Sequence, residues 1–335
     1  MLTGHGDDLY RYKENITVNF SSNIYSHFDH EPLFRYLASR LDDITSYPEP
    51  TPSVTEARLA ALLDLQPGEI CVTNGATEAI YLIAQTFRES RTAIFQPTFS
   101  EYADACHMHA HKTASFYQLN DVPTDAENVW ICNPNNPTGE AFDETEADGL
   151  WKRAPLFIID HSYAPFTLRK LLTPRQAADR GNILLLHSMT KEFAIPGLRL
   201  GYITGPADLI DRVRAQRMPW SVNQVAIHAA DYLMAHADDY HINLPELLAE
   251  RKRVANELKQ TGVIDIWPSD SHMLLCRLRM GKAAALKEYL VNEHGLLIRD
   301  ASNFEGLSDS FFRIAVQTPT ENNLLLHAIR QWMEE

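Results

Sequence analysis

The stretch that most constrains the fold is residues 182–204, which read NILLLHSMTKEFAIPGLRLGYIT. Its first six residues form a largely apolar run that predicts a buried strand, and Leu200–Thr204 predicts a second strand. Between them, Lys191 follows the hydroxyl residues Ser188 and Thr190. A lysine at the end of a buried strand is partly desolvated, which lowers the pKa of its amine and frees the lone pair for Schiff-base chemistry.

Short apolar runs alternate with helical patterns from about residue 53 to residue 205. This alternation predicts an α/β fold in which helices sandwich a mostly parallel sheet, with ligands bound beyond the carboxyl ends of the strands. The predicted strands are Glu69–Thr73, Thr92–Phe95, Asn128–Cys132, Leu156–Asp160, Ile183–His187 and Leu200–Thr204. The predicted helices are Val54–Leu65, Ala76–Arg88, Ser100–Ala110, Asp143–Arg153 and Ala207–Arg217.

The pattern becomes more helical after residue 220, with a long helical stretch from about Val222 to Gln260. Strands and helices then alternate again, which predicts a smaller α+β domain. We expect an N-terminal arm (residues 1–47) that packs on the small domain, a large domain (48–240) and a small C-terminal domain (241–335). The predicted elements of the last part are strands Met273–Arg279, Leu296–Arg299 and Phe311–Val316 and a helix Glu321–Met333.

Composition narrows the class of protein. The chain has 335 residues, of which 45% are hydrophobic, and this content excludes a disordered chain. Its net charge of −14 argues against nucleic-acid or anionic-membrane partners. The 4 cysteines form no CxxC pair, the N-terminus has no signal-peptide pattern and no apolar run is long enough to span a bilayer. These features predict a cytoplasmic protein with free thiols.

Several chemically useful residues follow predicted strands at one edge of the sheet. Gly75 opens a helix whose N-terminus can bind an anion, and Asn136 lies in a stiff proline-rich turn. Asp160 ends a buried strand and needs a partner, such as a protonated pyridine nitrogen, while Tyr163 can bond a phenolic oxygen. Taken singly, each residue also fits an ordinary turn or helix cap. Together with Lys191, they indicate a site for pyridoxal phosphate (PLP).

Other candidates leave alternatives open. Arg313 and Arg299 interrupt apolar strands, so each either binds a carboxylate or phosphate or forms an internal salt bridge. Arg199 is a permanent cation suited to phosphate. Either Phe99 or Tyr102 can stack on an aromatic cofactor, although core packing is the default for both.

Three histidines stand at alternate positions in the segment His107-x-His109-x-His111. Alternate positions share a face on a strand, but this segment lies at a predicted helix end, where only His107 and His111 share a face. No cysteine or carboxylate ligand accompanies them in the pattern. We therefore predict no metal site.

The motifs, taken in order, resemble those of fold-type I PLP-dependent enzymes across essentially the whole chain. They are Gly75-Ala76-Thr77, Asn136-Pro137-Thr138-Gly139, Asp160-x-x-Tyr163, Ser188-x-x-Lys191 and Arg199. Within that family the sequence resembles the histidinol-phosphate aminotransferase branch, and more narrowly the threonine-phosphate decarboxylases. The segments that carry the narrower resemblance are His5–Leu9, Phe20–Ile24, Pro219–Asn223 and Arg299–Arg313.

The resemblance implies pyridoxal 5'-phosphate as cofactor and a homodimer. Lys191 would hold the cofactor covalently, Asp160 would pair with its ring nitrogen and Tyr163 would bond its ring oxygen. The residues implied to bind the cofactor are Gly75, Ala76, Thr77, Phe99, Asn136, Asp160, Tyr163, Ser188, Thr190, Lys191 and Arg199, with Tyr47 contributed to the neighbouring subunit. The residues implied to bind the substrate are Arg313 at its carboxylate and Arg299, His5 and Asn23 at its phosphate.

The implied reaction is decarboxylation of L-threonine O-3-phosphate to 1-aminopropan-2-ol O-phosphate, which belongs to cobalamin biosynthesis. The alternative is histidinol-phosphate transamination with 2-oxoglutarate or glutamate. The same residues serve both reactions, because the bond that breaks is the one held perpendicular to the cofactor ring. The substrate is therefore a small phosphorylated amino acid or amine in either case.

Overall fold

The computed structural model describes residues 8–12, 15–147 and 149–334. Helices and strands alternate through most of this range, as the apolar pattern predicts. The α-helices are α1 Leu9–Tyr12, α2 Glu31–Ala38, α3 Ser53–Leu62, α4 Gly75–Thr86, α5 Glu101–Met108, α6 Pro174–Arg180, α7 Met189–Glu192, α8 Ala207–Arg214, α9 Gln224–Ala235, α10 Leu244–Gln260, α11 Ala283–His294 and α12 Pro319–Glu334. The strands are β1 Val18–Asn19, β2 Ile70–Thr73, β3 Arg91–Phe95, β4 Lys112–Phe116, β5 Asn128–Cys132, β6 Leu156–Asp160, β7 Ile183–Ser188, β8 Gly201–Thr204, β9 Ile264–Ile266, β10 Met273–Leu278, β11 Leu296–Leu297, β12 Arg299–Asp300 and β13 Phe311–Ala315.

A seven-stranded sheet in the order β2-β8-β7-β6-β5-β3-β4 forms the centre of the fold and is flanked by helices. Strands β3 to β7 run parallel to one another, whereas β8 is antiparallel to both of its neighbours, β2 and β7. Every residue of β5 and β6 is buried, as expected for parallel strands covered on both faces. The register aligns Cys132 with Asp160 and Ser188 with Gly201, so the strand ends that carry polar residues lie side by side.

The last third of the described chain builds a second sheet, in the order β12-β13-β10-β9, which is antiparallel throughout. Near the N-terminus, β1 pairs in parallel with β11, Val18 opposite Leu296. The segment at Val18–Asn19 is therefore tied to the segment that follows α11. The division into three parts at residues 47 and 240 stays a prediction.

Three sequence predictions of secondary structure are wrong. The predicted helix Asp143–Arg153 is instead a turn followed by a short 3-10 helix at Leu150–Lys152. Gly149 has φ +77°, a left-handed backbone conformation that interrupts a helix within this stretch. The predicted helical stretch from 222 to 260 is two helices, α9 and α10, and the predicted strand Leu296–Arg299 is divided into β11 and β12.

Within the described residues, no helix combines the length and the apolar character needed to cross a bilayer.

Candidate active site

The carboxyl ends of β2, β5, β6 and β7 meet the N-terminus of α4 around a cavity of about 190 Å³. Parallel strands end at the same edge of a sheet, so residues far apart in the chain converge there. The predicted site residues that line the cavity are Asn23, Ala76, Thr77, Phe99, Asn136, Asp160, Tyr163, Ser188, Thr190, Lys191, Arg199 and Arg313. The cavity therefore combines an amine, a buried carboxylate, two guanidinium groups and several hydroxyl groups.

Lys191 lies in α7, the short helix that follows β7 directly. Its side chain is half-buried, and its Nζ donates a hydrogen bond to the backbone carbonyl of Ser22 at 2.7 Å. The segment after β1 thus closes over the amine. This contact holds the amine inside the cavity and away from bulk solvent.

Asp160 ends β6 and is buried. Its Oδ1 accepts a hydrogen bond from the backbone N–H of Ser162 at 2.8 Å, and its Oδ2 accepts one from the Tyr102 hydroxyl at 2.7 Å. Burial raises the pKa of this carboxyl group, while these two donors and the Lys191 ammonium act in the opposite direction. A cationic partner inside the cavity would therefore stabilise its ionised form.

The side chains of Asn136 and Tyr163 are held by partners from distant parts of the chain. Arg313, which is 2% exposed, donates through Nη1 to Asn136 Oδ1 and through Nη2 to the Ser21 carbonyl. The hydroxyl of Tyr163 accepts a hydrogen bond from Asn23 Nδ2 at 3.1 Å. Burial raises the pKa of the Tyr163 phenol, so this group remains a donor.

An anion-binding end of the cavity lies where α4 begins. Gly75 has φ +81°, and a Cβ added there would stand 2.6 Å from Arg199 Nη2. At Gly201, an added Cβ would stand 2.7 Å from the backbone nitrogen of Ala76. Glycine at both positions leaves room for the guanidinium group and the helix N-terminus to face one anion. The hydroxyl groups of Ser188 and Thr190, 2.7 Å apart, line the same cavity.

The family described as aminotransferase class I and II matches residues 15–329. The chain belongs to this family. It is 35% identical to the L-threonine-O-3-phosphate decarboxylase of Porphyromonas gingivalis, whose solved structure superposes with a TM-score of 0.92, covering 95% of this chain and 100% of that one. The threonine-phosphate decarboxylase of Salmonella typhimurium is 28% identical over 330 residues, which cover 93% of this chain and 90% of the relative. The histidinol-phosphate aminotransferase of Clostridium acetobutylicum is 26% identical with a TM-score of 0.84, covering 94% and 98% of the two chains.

The cofactor of this class I and II enzyme is pyridoxal 5'-phosphate, as the sequence indicated, and the cavity fits it. The Gly75–Arg199 approach and the α4 N-terminus form a cradle for its phosphate, which a Cβ at residue 75 would fill. The buried Asp160 carboxylate suits its ring nitrogen, and the Lys191 amine suits its carbonyl carbon. When bound, the cofactor supplies an electron-accepting ring.

Phe99 and Tyr102, either of which the sequence offered as the ring that stacks on the cofactor, have different surroundings. The hydroxyl of Tyr102 bonds Asp160, and its ring stacks on Trp130 with centroids 5.4 Å apart. Phe99 also lines the cavity, is less buried than Tyr102 and meets the Tyr102 ring edge-on. Because one face of Tyr102 is already covered by Trp130, Phe99 is the better candidate to stack on the cofactor ring.

Gly75 directly precedes the lining residue Ala76. Three other predicted site residues are not found among the described residues that line the cavity. Arg299 is buried in β12, where its Nη2 donates to Asn303 Oδ1 at 2.6 Å. Tyr47 is 85% exposed, and the centroid of its ring lies 5.4 Å from that of Trp220. The prediction for His5 falls outside the described residues. The roles proposed for these three residues stay predictions.

The residues to which the sequence reasoning assigned no role include Ser21 and Ser22, which line the cavity, and Asn135, which does not line it. The backbone carbonyls of Ser21 and Ser22 accept hydrogen bonds from Arg313 and Lys191, respectively. Asn135 ties two site loops together, since it donates to the Pro97 carbonyl and accepts from the Thr98 hydroxyl, both at 2.9 Å. Backbone acceptors leave no residue-type signal, so only the fold reveals the two serines.

The histidine-rich segment has an ordinary structural role. His111 is buried, and its two ring nitrogens contact the Thr92 hydroxyl at 2.7 Å and the Ala84 carbonyl at 2.8 Å. His107 lies near Thr113 Oγ1 at 3.3 Å and is exposed. Among the residues that the structure describes, no group of three or more histidine, cysteine or carboxylate side chains is arranged to hold a metal ion.

Proposed function

We propose that this enzyme decarboxylates L-threonine O-3-phosphate to 1-aminopropan-2-ol O-phosphate. The observation that carries the proposal is the likeness to the Porphyromonas gingivalis decarboxylase, which is higher in identity and in TM-score than that to the Clostridium acetobutylicum aminotransferase. The two arginines of β12 and β13 add support. Arg313 reaches the cavity and suits the substrate carboxylate, while Arg299 stands opposite it in the same sheet and suits the phosphate end.

In this proposal the protein selects the bond that breaks by orienting the substrate. Arg313 holds the carboxylate from one side, and Arg299 with Asn23 holds the phosphate from the other. Fixed at both ends, the substrate would hold the bond between Cα and its carboxylate carbon in one orientation, and a bound cofactor would supply the ring that accepts the electrons of that bond. Lys191, protonated as an ammonium, would then donate a proton to the substrate Cα in place of the lost carboxylate.

Histidinol-phosphate transamination is the second candidate. The Clostridium acetobutylicum aminotransferase covers 94% of this chain, and its substrate also carries an amine and a phosphate. Histidinol phosphate, the amino donor in this reaction, has no carboxylate for Arg313 to bind. Arg313 would instead bind the carboxylate of the second substrate, 2-oxoglutarate or glutamate. In that reaction Lys191 would remove a proton from Cα instead of donating one.

One cofactor-loaded preparation distinguishes the two reactions. We expect carbon dioxide to be released from L-threonine O-3-phosphate with no keto acid present. We expect histidinol phosphate with 2-oxoglutarate to yield no glutamate. Glutamate formation without release of carbon dioxide would replace the decarboxylase proposal with the aminotransferase.

We also propose that the enzyme is a homodimer in which Tyr47 reaches the cofactor phosphate of the partner subunit. The exposed ring of Tyr47 lies near that of Trp220, and the backbone N–H of Trp220 donates to the Pro50 carbonyl at 3.0 Å, which joins the two segments. Large exposed apolar side chains of this kind favour a protein partner. The large apolar side chains that are exposed in residues 34–54 and 218–220 are Phe34, Leu41, Ile44, Tyr47, Val54, Met218 and Trp220.

Mixing two inactive variants tests the shared site. In a mixed dimer of Tyr47→Ala and Lys191→Ala, one site receives Lys191 from its own subunit and Tyr47 from the partner. Random reassociation makes half of the dimers mixed, so about one quarter of the wild-type activity should return. A mixture that stays inactive after verified subunit exchange would contradict the contribution of Tyr47 across the interface.

A further inference from the structure

Two hydrogen-bond donors of the protein, one on each oxygen, hold the Asp160 carboxylate in place. The Ser162 N–H occupies one lone pair of Oδ1, and the Tyr102 hydroxyl occupies one lone pair of Oδ2. A carboxylate has about four lone-pair sites, so each oxygen can still accept from a ring nitrogen in the cavity. Burial disfavours the ionised carboxylate, and hydrogen bonds donated to it restore that form.

Tyr102 is placed so that its hydroxyl proton serves this carboxylate. The side chain lies on α5 and is 1% exposed, and its ring is fixed by stacking on Trp130 at an interplanar angle of 25°. Burial raises the pKa of the phenol, so the proton stays on its oxygen. The Cys132 thiol also interacts with the Tyr102 hydroxyl, and Cys132 lies opposite Asp160 on the neighbouring strand β5.

A purely structural role would require only the ring. A phenylalanine at position 102 would fill the same space against Trp130 and Phe99, yet it would leave Oδ2 of Asp160 without this donor. What tyrosine adds over phenylalanine at this position is therefore the hydrogen bond to the Asp160 carboxylate, and not a packing contact.

We propose that Tyr102 is a positioning residue for the cofactor, because its hydroxyl aims the Asp160 carboxylate and keeps it ionised towards the protonated ring nitrogen. The inference depends on the cofactor and on the position of Asp160 next to its ring, and it does not depend on which substrate is used. It holds equally for a decarboxylase and for an aminotransferase.

The test compares Tyr102→Phe with Tyr81→Phe. Tyr81 makes a matched bond elsewhere, since its hydroxyl donates to the buried Glu101 at 2.8 Å, outside the cavity. In Tyr102→Phe we expect the dissociation constant of pyridoxal phosphate to rise on the order of tenfold, the effect of losing a hydrogen bond to a charged group. In Tyr81→Phe it should not change. Equal affinities in both variants and the wild type would overturn the proposal.

The pH titration of the visible absorption of the bound cofactor gives a readout that packing would not move. A positive charge on the ring nitrogen repels a proton on the Lys191 nitrogen. Weakening the ionised form of Asp160 reduces that charge, so the titration midpoint should move to higher pH in Tyr102→Phe. Replacement of Tyr102 by 3,5-difluorotyrosine, a stronger donor of similar shape, should move it to lower pH, and this substitution decides the matter if Tyr102→Phe does not fold.

A double-mutant cycle shows whether Tyr102 acts through Asp160. In an Asp160→Asn background the carboxylate is absent, so Tyr102→Phe should no longer change the affinity for pyridoxal phosphate. If the tenfold loss persists in that background, Tyr102 acts through packing and the proposal is wrong.

Discussion

Lys191→Ala is expected to lower kcat/KM on the order of 10⁴-fold, because the variant lacks both the amine that attaches the cofactor and the group that moves the proton at Cα. The Lys191 amine lies inside the cavity and donates to the Ser22 carbonyl at 2.7 Å. No other lysine of the described residues lines the cavity, so none can replace it. Borohydride reduction followed by peptide mass spectrometry should find the cofactor covalently attached to residue 191 in the wild type and to no residue in the variant.

The matched control is Lys152→Ala. Lys152 is exposed and lies outside the cavity, so its replacement should leave both the labelling and the activity of the enzyme unchanged. Wild-type turnover by Lys191→Ala, or labelling of another lysine in the wild-type protein, would show that Lys191 is not the residue that attaches the cofactor. Lys191→Ala can still bind the cofactor without covalent attachment, because it keeps Asp160 for the ring nitrogen and Arg199 for the phosphate.

The central strands were predictable because their signal is local. Fully buried parallel strands read as continuous apolar runs, and β5, β6 and β7 lie within a residue of the positions that their apolar runs indicate. Strand β4 was missed because it is an edge strand whose first four residues are exposed and follow no apolar pattern. The break between α9 and α10 was missed because it depends on an Asn243 cap, where Asn243 Oδ1 accepts from the Glu246 N–H, and not on a change in hydrophobicity.

The residues that motifs indicated lie together at one cavity, whereas their long-range hydrogen-bond partners were not predicted. Lys191, Asp160 and Arg199 stand in strings whose residue types suit a phosphate-bearing aldehyde. The bond between Arg313 and Asn136 joins residues that are 177 positions apart, and no local pattern indicates such a pairing. The hydrogen bond of Tyr102 to Asp160 is similar, since it depends on how α5 packs over β6.

Arg313→Lys is expected to weaken the binding of L-threonine O-3-phosphate by about 100-fold, because lysine keeps the charge but loses the planar fork that binds a carboxylate through two hydrogen bonds. Binding of 1-aminopropan-2-ol O-phosphate, which has no carboxylate, should change little. Titration of the bound cofactor's absorption with each ligand measures both affinities. An equal loss for the two ligands would indicate that Arg313 acts only by holding Asn136 and the Ser21 carbonyl.

Arg299→Lys provides the complementary comparison, because both ligands carry the phosphate that Arg299 is proposed to bind. We expect it to weaken their binding equally, and to leave an unphosphorylated analogue such as L-threonine unaffected. The two arginines stand opposite each other in β12 and β13, so they share one sheet and differ in what they face: Arg313 lines the cavity, whereas Arg299 contacts Asn303 and lies over the Phe304 ring. Opposite patterns of loss in the two variants would therefore assign each end of the substrate to one arginine. The same pattern in both would indicate that the substitutions disturb the shared sheet instead of two separate contacts.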